Sequence, residues 1–287
     1  MNTGERTSAV QSGKQAAPRR RVRVLSLTSG KGGVGKTCVS VNLGYWLAKK
    51  GAKVLLLDAD LGLANVDVVL GLRSEYTLQH VLSGEKSISE ILLKGPGGMS
   101  ILPAGSGVAE LADLSEEAKI QLFSELESMN EPFDYLLVDT GAGISRTVLY
   151  FNNAVQDIVL VATPEPTSIT DAYALMKVLS EQRKGYRFRI LANMVDNETE
   201  GRNVYRRLSS VSDKYLDVAT SFLGHIVTDP HVVHAVRKQT ALSVAFPKSP
   251  ASRCLRNLAN QIHELPQDEF PAGHMQFFWR RLATQMR

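Results

Sequence analysis

The segment GKGGVGKT, residues 30–37, constrains the fold of this chain more than any other stretch. It fits the pattern G-x-x-x-x-G-K-[ST], which is typical of loops that wrap around nucleotide phosphates. An apolar run at residues 22–28 precedes the loop, and a helical pattern begins at Thr37. A strand, this loop and a helix in succession predict a phosphate-binding loop at a helix N-terminus. The alternative is an ordinary glycine-rich turn, which needs no strand before it and no helix after it.

The glycines of this loop allow backbone N–H groups to approach phosphate oxygens without interference from a Cβ atom. We expect Lys36 to pair with the β- and γ-phosphates, and the Thr37 hydroxyl to ligate Mg²⁺. The residues of the loop predicted to contact the nucleotide are Gly30, Lys31, Gly32, Gly33, Val34, Gly35, Lys36, Thr37 and Cys38.

Five further apolar runs follow, at residues 53–60, 134–140, 157–163, 188–194 and 221–227. Helical patterns occur between and after them, at residues 115–129, 145–154, 167–182, 199–213, 230–239 and 250–264. This alternation is typical of an α/β fold with a mainly parallel, twisted sheet and helices on both faces. Ligands of such sheets bind beyond the carboxyl ends of the strands.

Polar side chains occur where several of these apolar runs end. Asp58 and Asp60 alternate at the end of one run, so they share a face while the strand persists, and Asp139 ends another. Carboxylates beside a magnesium nucleotide hold metal-bound water or orient the attacking water, although strand-end acids also serve as helix caps. Asn193, at a later strand end, offers an amide that either reads the adenine edge or closes a turn.

The two cysteines, Cys38 and Cys254, are far apart and lack a CxxC spacing. This argues against a disulfide framework, a zinc site or a cysteine-held cluster. No apolar run reaches the roughly 20 residues that span a bilayer, and the N-terminus lacks the apolar core of a secretory signal. We therefore expect a cytoplasmic protein.

The net charge of +4 is unevenly distributed along the 287 residues. Residues 1–23 carry six basic side chains and one acid, Glu5, so the rest of the chain is close to neutral. The composition of residues 1–21 predicts a disordered basic tail, which is either simply solvated or bound to an acidic surface. The near-neutral body argues against nucleic acid as a partner.

The C-terminal stretch GHMQFFWRRLATQMR has the pattern of a basic amphipathic helix. Its apolar side chains fall in one arc of a helical wheel, whereas the three arginines lie outside the arc and Phe277 breaks the pattern. Such a helix is typical of an interfacial membrane anchor, here residues 274–287. The alternatives are docking on the core and binding in the groove of a partner protein. The apolar residues in the arc are Met275, Phe278, Trp279, Leu282 and Met286.

The sequence KGGVGKT resembles the deviant Walker A motif of the MinD/ParA group of P-loop ATPases. Longer stretches are similar to the flagellar-number regulators of the FlhG/FleN type, notably DADLGLANVDVVLGL, EPTSITDAYALMK, ILANMVDNETEGRNVYRRL and GHMQFFWRRLA. The resemblance covers residues 22–287. It implies a P-loop NTPase fold, Mg²⁺-dependent ATP hydrolysis, and ATP and Mg²⁺ as cofactors.

The same resemblance implies roles for individual residues. Lys31 would reach the phosphates of a partner subunit and act in catalysis with Lys36, while Asp60 would orient or activate the attacking water. Asp58, Asp139 and Thr37 would support the magnesium ion, and Asp229 would lie along the base. The loop from Gly141 to Gly143 would follow the γ-phosphate, although Gly-Ala-Gly stands here where the family usually has Pro-Ala-Gly or a similar sequence.

The resemblance also implies a homodimer in the ATP state that restrains flagellar biogenesis. Its expected partners are a flagellar transcription activator and the signal-recognition-type flagellar GTPase, although the tail shows no clear Asp-Gln-Ala motif. We expect the protein to be cytoplasmic and reversibly peripheral at the inner face of the cell membrane. The expected organisation is a basic tail (1–21), an ATPase domain (22–266), and a linker with the C-terminal helix (267–287).

Other functions of P-loop proteins place different demands on the chain. A ParA-like DNA-partitioning ATPase needs a basic patch on the folded body. A cluster-carrying electron-transfer relative needs cysteines that ligate across a dimer, and an ATP-dependent synthetase needs further polar groups near Asp60 that the sequence does not reveal.

Overall fold

The computed structural model describes residues 22–60, 66–103, 133–155 and 157–265. The predicted basic tail, the helix predicted at 115–129 and the C-terminal helix predicted at 274–287 all lie outside the described residues. The division into tail, ATPase domain and C-terminal segment therefore stays a prediction.

Eight strands form one sheet in the order β3-β4-β2-β5-β1-β6-β7-β8. All neighbouring strands are parallel except β3 and β4, which are antiparallel. The fold prediction of a mainly parallel sheet is confirmed. The strands are β1 (Arg23–Ser29), β2 (Val54–Ala59), β3 (Leu93–Lys94), β4 (Ser100–Leu102), β5 (Tyr135–Ala142), β6 (Asp157–Ala162), β7 (Arg187–Val195) and β8 (Ala219–Val227).

Helices cover both faces of the sheet, as predicted. The helices of the described residues are α1 (Lys36–Lys49), α2 (Val66–Leu70), α3 (Leu78–Leu82), α4 (Ile88–Ile91), α5 (Arg146–Ala154), α6 (Pro166–Gln182), α7 (Glu198–Tyr215), α8 (Pro230–Arg237), α9 (Leu242–Ala245) and α10 (Pro250–Glu264). A 3-10 turn spans Pro96–Gly98. No helix in these described stretches has the length and apolar character needed to span a bilayer.

Two apolar cores lie on opposite faces because successive strand side chains point in opposite directions. Leu136 and Val138 of β5 belong to one core with α5, α6 and α7, whereas Leu137 belongs to the other with α1 and α10. The strand β2 is buried along its whole length, as expected where helices cover both faces.

The strand β1 lies at the point where the direction of the chain across the sheet reverses. From β1 the chain passes to β2, β3, β4 and β5 on one side, and then to β6, β7 and β8 on the other. Crevices at such switch points, outside the carboxyl ends of the strands, are where open α/β sheets bind ligands. The glycine-rich loop follows β1 at this edge.

Arg23, the first residue of β1, lies at the end of that strand opposite to the glycine-rich loop. Its guanidinium donates hydrogen bonds of 2.6 Å to the carbonyl oxygens of Ile262 and Leu265, at the end of α10. These bonds satisfy carbonyl groups that a helix C-terminus leaves without intrahelical partners. The first and last described residues of the chain therefore lie side by side, far from the glycine-rich loop.

Candidate nucleotide-binding site

The loop between β1 and α1 has the backbone conformation that its glycines permit. Gly33 and Gly35 have φ angles of 80° and 89°, in the left-handed region that side chains disfavour. Gly35 is also crowded, because an added Cβ would lie 2.5 Å from Nδ2 of Asn193. Both positions therefore require glycine.

The start of the loop lies directly against α6. A Cβ atom at Gly30 would approach the backbone carbon of Asp171 to 2.0 Å, which is too close for any side chain. The Gly30 position therefore depends on tertiary contact as well as on phosphate approach, and the motif alone does not reveal this.

Lys31 lies over the start of α6 in the same subunit. Its Nζ atom is 2.6 Å from Oε2 of Glu165 and 3.0 Å from Oγ1 of Thr167. The Ser29 hydroxyl donates a hydrogen bond of 2.7 Å to the Lys31 carbonyl. The Lys31 side chain is 37% exposed. Its predicted action on a partner subunit stays a prediction.

Lys36 and Thr37 begin α1, and the Lys36 side chain lies close enough to Asp139 to influence its ionisation. Asp139 is fully buried on β5, and its Oδ1 atom accepts a hydrogen bond of 2.8 Å from the Ser40 hydroxyl. Burial raises the pKa of Asp139 to about 6, against the opposing effects of the Thr37 hydroxyl and the Lys36 ammonium.

The second oxygen of Asp139, Oδ2, has no hydrogen-bond partner among the described residues. A buried carboxylate oxygen without a partner is costly unless something else approaches it. The Asp139 carboxylate, whose ionisation the Thr37 hydroxyl also influences, fits the place where a magnesium ion or its water would be held. The described residues contain no group of three or more His, Cys, Asp or Glu suited to a metal, so the ion would also need phosphate oxygens and water.

Asp58 lies opposite Asp139 in the β2–β5 register. Its two carboxylate oxygens accept hydrogen bonds from the backbone N–H groups of Asp60, at 3.2 Å, and Val66, at 3.1 Å. Asp58 therefore holds the backbone at Asp60 and at Val66, the residues on either side of positions 61–65. Burial, with the neighbouring Asp139 carboxylate, raises the pKa of Asp58 to about 7.

Asp60 lies beside the end of β5, which includes Gly141 and Ala142, so only Gly143 of the predicted loop lies beyond the strand. A Cβ atom at Gly141 would lie 3.3 Å from Oδ1 of Asp60. Gly143 has a φ angle of 84° and donates a backbone hydrogen bond of 2.9 Å to the Ser29 carbonyl. The predicted water-orienting acid and the predicted switch loop are thus brought together at the end of β1.

An apolar cavity of about 200 Å³ continues from the loop towards α8 and α10. It brings together four of the residues predicted to contact the nucleotide, which are Gly35, Cys38, Asn193 and Asp229. Burial raises the pKa of the Cys38 thiol to about 11, so the thiol is neutral at physiological pH. A mostly apolar cavity beside a phosphate loop suits the flat face of a base.

The side chains of Asn193 and Asp229 form hydrogen bonds with backbone groups of the chain. Asn193 Nδ2 donates a hydrogen bond of 2.7 Å to the Val34 carbonyl of the glycine-rich loop. The Asp229 carboxylate caps α8 through the backbone N–H of His231 and accepts a hydrogen bond of 3.0 Å from the Ala251 N–H. Both residues line the cavity, and each also holds an element of its wall, whereas their contact with a nucleotide base stays a prediction.

Comparison with known proteins identifies the family. The sequence model of the ParA family, described as "NUBPL iron-transfer P-loop NTPase", matches residues 21–263. The antiactivator FleN of Pseudomonas aeruginosa is 46% identical over 270 residues, which cover 94% of this chain and 96% of FleN. The chain belongs to the ParA/MinD family of P-loop ATPases and is of the FlhG/FleN type.

Two further relatives agree with this assignment. The flagellum site-determining protein YlxH of Helicobacter pylori is 36% identical over 268 residues, covering 92% of this chain and 90% of YlxH. The structure of the MinC:MinD cell division protein complex of Aquifex aeolicus matches with a TM-score of 0.67 and 29% identity, over 87% of this chain and 100% of that chain. The predicted family, fold and ATPase class of this protein are therefore confirmed.

Membership of the P-loop NTPase family implies that the chain binds a nucleotide. The sequence did not reveal Glu165, Thr167 and Ser40 as neighbours of the loop and its acids. Glu165 and Thr167 follow a strand end, within the stretch EPTSITDAYALMK, and Ser40 lies one helical turn after Lys36. Neither signal distinguishes a site residue from an ordinary cap or surface residue.

Proposed function

We propose that this P-loop ATPase is an ATP- and Mg²⁺-dependent dimerising switch that restrains flagellar number or biogenesis. The observation that carries the proposal is the 46% identity to a protein named as an antiactivator, over almost the full length of both chains. The second flagellar relative, named as a site-determining protein, supports a role in placing or counting flagella.

In this proposal the glycine-rich loop and Lys36 bind the phosphates, while Asn193 and Asp229 border the adenine. Thr37, Asp139 and Asp58 hold the magnesium ion directly or through water. Mg²⁺ would offset the negative charge that develops on the phosphate oxygens during transfer. The unpartnered Oδ2 atom of Asp139 supports this part of the assignment.

Asp60 orients the water that attacks the γ-phosphate. The Asp58 carboxylate fixes the backbone N–H of Asp60 at 3.2 Å, so the orientation of Asp60 depends on Asp58. Lys31 supplies a cation to the nucleotide of the opposite subunit, where a positioned charge stabilises the transition state. Hydrolysis is therefore slow in one subunit alone and begins when two ATP-loaded subunits meet.

The ATP-bound dimer would act on partners, as the MinC:MinD complex illustrates for a relative. The proposed partners are a flagellar transcription activator and a signal-recognition-type flagellar GTPase. Residues 274–287 would bring the dimer to the inner face of the cell membrane, and hydrolysis would return it to the cytoplasm.

Light scattering after size exclusion, in ADP and in ATP, tests the switch. We expect the parent and Asp60→Ala to be monomers in ADP, and Asp60→Ala to accumulate as a dimer in ATP because it hydrolyses slowly. Lys31→Ala should bind ATP yet fail to dimerise or to hydrolyse it, whereas Lys36→Ala should lose tight binding of the nucleotide. A monomeric Asp60→Ala protein saturated with ATP would contradict the proposal.

A further inference from the structure

The strand β1 carries polar residues where a strand covered on both faces normally carries apolar ones. Ser26 and Thr28 alternate with Leu25 and Leu27, so they point to the opposite face of the sheet, which α5 covers. Ser26 and Thr28 are both fully buried. A buried hydroxyl group is costly without a hydrogen-bond partner, and these two hydroxyl groups have partners on α5 and β5.

Asn152, in the interior of α5, joins this helix to β1. Its Oδ1 atom accepts a hydrogen bond of 2.8 Å from the Ser26 hydroxyl, and its Nδ2 atom donates one of 3.2 Å to Thr28 Oγ1. Nδ2 also donates a hydrogen bond of 2.8 Å to the Val148 carbonyl. Because Asn152 is fully buried, its amide fixes α5 against the strand that leads into the glycine-rich loop.

Thr140 extends these contacts to β5. Its hydroxyl oxygen lies 3.0 Å from Thr28 Oγ1, 3.1 Å from the Leu27 carbonyl oxygen and 3.0 Å from the Gly141 carbonyl oxygen. Successive side chains of a strand point in opposite directions, so Thr140 holds the backbone after Asp139 from the face opposite to the Asp139 carboxylate. We call this set of buried side chains the hydroxyl–amide network, and its members are Ser26, Thr28, Thr140 and Asn152.

The pairing of β1 with β5 is irregular at the network. Leu27 pairs with Asp139 and Ser29 pairs with Ala142, so one residue of β1 faces two residues of β5 between these pairs. An extra residue of this kind bends the strand and changes the direction of the residues that follow. Thr140 is one of the two residues in this bulge, so its contacts fix the course of β5 where the strand approaches the nucleotide site.

We infer that Asn152 and Thr140 are positioning residues that hold the segment after Asp139 on β1 and so set the rate of ATP hydrolysis. The inference rests on the proposed function, in which Asp60 orients the attacking water. A Cβ atom at Gly141 would lie 3.3 Å from Asp60 Oδ1, so a displaced Gly141 backbone changes the surroundings of that carboxylate. Asn152 and Thr140 therefore act on the reaction through the backbone and not through contact with the nucleotide.

Binding and hydrolysis of ATP should depend on the network to different degrees. Binding relies on the glycine-rich loop and on Lys36, which lie at the start of α1 on the other face of the sheet. Hydrolysis requires exact placement of the attacking water, and a misplacement of about 1 Å can slow an enzyme by about a hundredfold. We expect loss of the Thr140 hydroxyl to lower kcat about tenfold and to change the affinity for ATP by less than about twofold.

The experiment compares Thr140→Val, Thr140→Ser and Asn152→Leu with the control Ser212→Ala. Thr140→Val removes the hydroxyl and keeps the shape of the side chain, whereas Thr140→Ser keeps the hydroxyl. Ser212 is fully buried on α7 and donates a hydrogen bond of 2.8 Å to the Leu208 carbonyl, so the control also loses one buried hydroxyl, outside the network. Asn152→Leu leaves two buried hydroxyl groups of β1 without the amide, and the two Thr140 variants decide the outcome if it does not fold.

Three quantities are measured for each folded variant. Steady-state hydrolysis with Mg²⁺ gives kcat, and titration with a fluorescent, non-hydrolysable ATP analogue gives the affinity. Hydrogen exchange of the nucleotide-free protein gives the third quantity, because the Gly143 N–H donates a hydrogen bond of 2.9 Å to the Ser29 carbonyl just beyond the bulge. Loss of one hydrogen bond of the network should speed exchange at Gly143 about tenfold.

We expect Thr140→Val and Asn152→Leu to combine a lower kcat and faster exchange with nearly the parental affinity, and Thr140→Ser and Ser212→Ala to match the parent. Any of three results would overturn the inference alone: a parental kcat in Thr140→Val, a kcat in Thr140→Ser as low as in Thr140→Val, or an equal loss of kcat in Ser212→Ala. A loss of affinity in Thr140→Val as large as its loss of kcat would also overturn it. A parent that binds the analogue but does not hydrolyse ATP with Mg²⁺ would instead overturn the proposed function.

Discussion

At the scale of single residues, the site contains two carboxyl groups that the fold buries side by side. Asp58 and Asp139 face each other across β2 and β5, and both have raised pKa values, of about 7 and about 6. Burial of this kind costs stability when the groups ionise. The pair is therefore a strained element of the nucleotide-free protein that a bound cation would relieve.

The raised pKa of Asp58 predicts how the free energy of unfolding changes with pH. Its folded value of about 7 lies above the ordinary value of 3.8, so its contribution to stability is present below pH 4 and is lost as the pH rises to 7. Asp58→Asn removes the charge, so the nucleotide-free variant should lose less stability than the parent between pH 4 and 8. The difference should be roughly 1.4 kcal/mol per unit of pKa shift. Urea unfolding without Mg²⁺ measures it, and equal pH slopes would contradict it.

Gly30 supplies a second prediction at this scale. Gly30→Ala forces a Cβ atom to within 2.0 Å of the α6 backbone, whereas an alanine at Gly32 would meet nothing within 4 Å. Gly30→Ala should destabilise the nucleotide-free protein by about 2 kcal/mol or more, and Gly32→Ala by less than about 0.5 kcal/mol. Chemical unfolding of the two variants compares them, and equal losses would mean that the junction with α6 is not tightly packed.

At the scale of helices and strands, the sequence predicted the elements that are long and periodic. The runs that became β2, β5, β6, β7 and β8 contain six to nine residues each, which is long enough for the apolar pattern of a strand to show. The strands β3 and β4 and the short helices α2, α3, α4 and α9 contain two to five residues each, which is too few to show a period. Tertiary contacts, not local pattern, define these short elements.

The same distinction applies to the site. The glycine-rich loop and the strand-end acids could be predicted because they follow local motifs. The bonds from Asn193 to Val34 and from Lys31 to Glu165 join residues 159 and 134 positions apart, so no local pattern could reveal them.

The strands β6 and β7 are joined by a buried carboxylate that contacts two arginines. A third prediction concerns the contribution of this contact to stability. Asp157, at the start of β6, is 2% exposed and lies 3.0 Å from Arg187 and 3.2 Å from Arg189 on β7. Burial raises the pKa of Asp157 despite both arginines. Replacing it with asparagine leaves two guanidinium groups without this carboxylate, and should cost about 3 kcal/mol of folding free energy.

The control for this pair is the exposed contact between Lys184 and Asp217, at 3.8 Å with side chains 87% and 82% exposed. Asp217→Asn should change stability by less than about 0.5 kcal/mol. Urea unfolding at neutral pH measures both variants. Similar losses for Asp157→Asn and Asp217→Asn would show that burial does not strengthen the contact between β6 and β7.

At the scale of the whole molecule, association with a membrane is predicted from a segment outside the described residues. Deleting residues 274–287 should lower the amount of ATP-bound protein that sediments with anionic vesicles, because the deletion removes the apolar arc and three arginines. Light scattering should show that the deletion variant still dimerises in ATP. Unchanged sedimentation by a dimeric deletion variant would contradict the anchor and leave the switch untouched.

The bonds from Arg23 to Ile262 and Leu265 have a practical consequence for measurements on this protein. They place the first and last described residues together in one subunit, at the opposite end of β1 from the glycine-rich loop. A donor and an acceptor fluorophore attached beside these two ends would therefore transfer energy efficiently within a single chain. Loss of that signal would report that β1 has parted from α10, and it would say nothing about whether two chains have met.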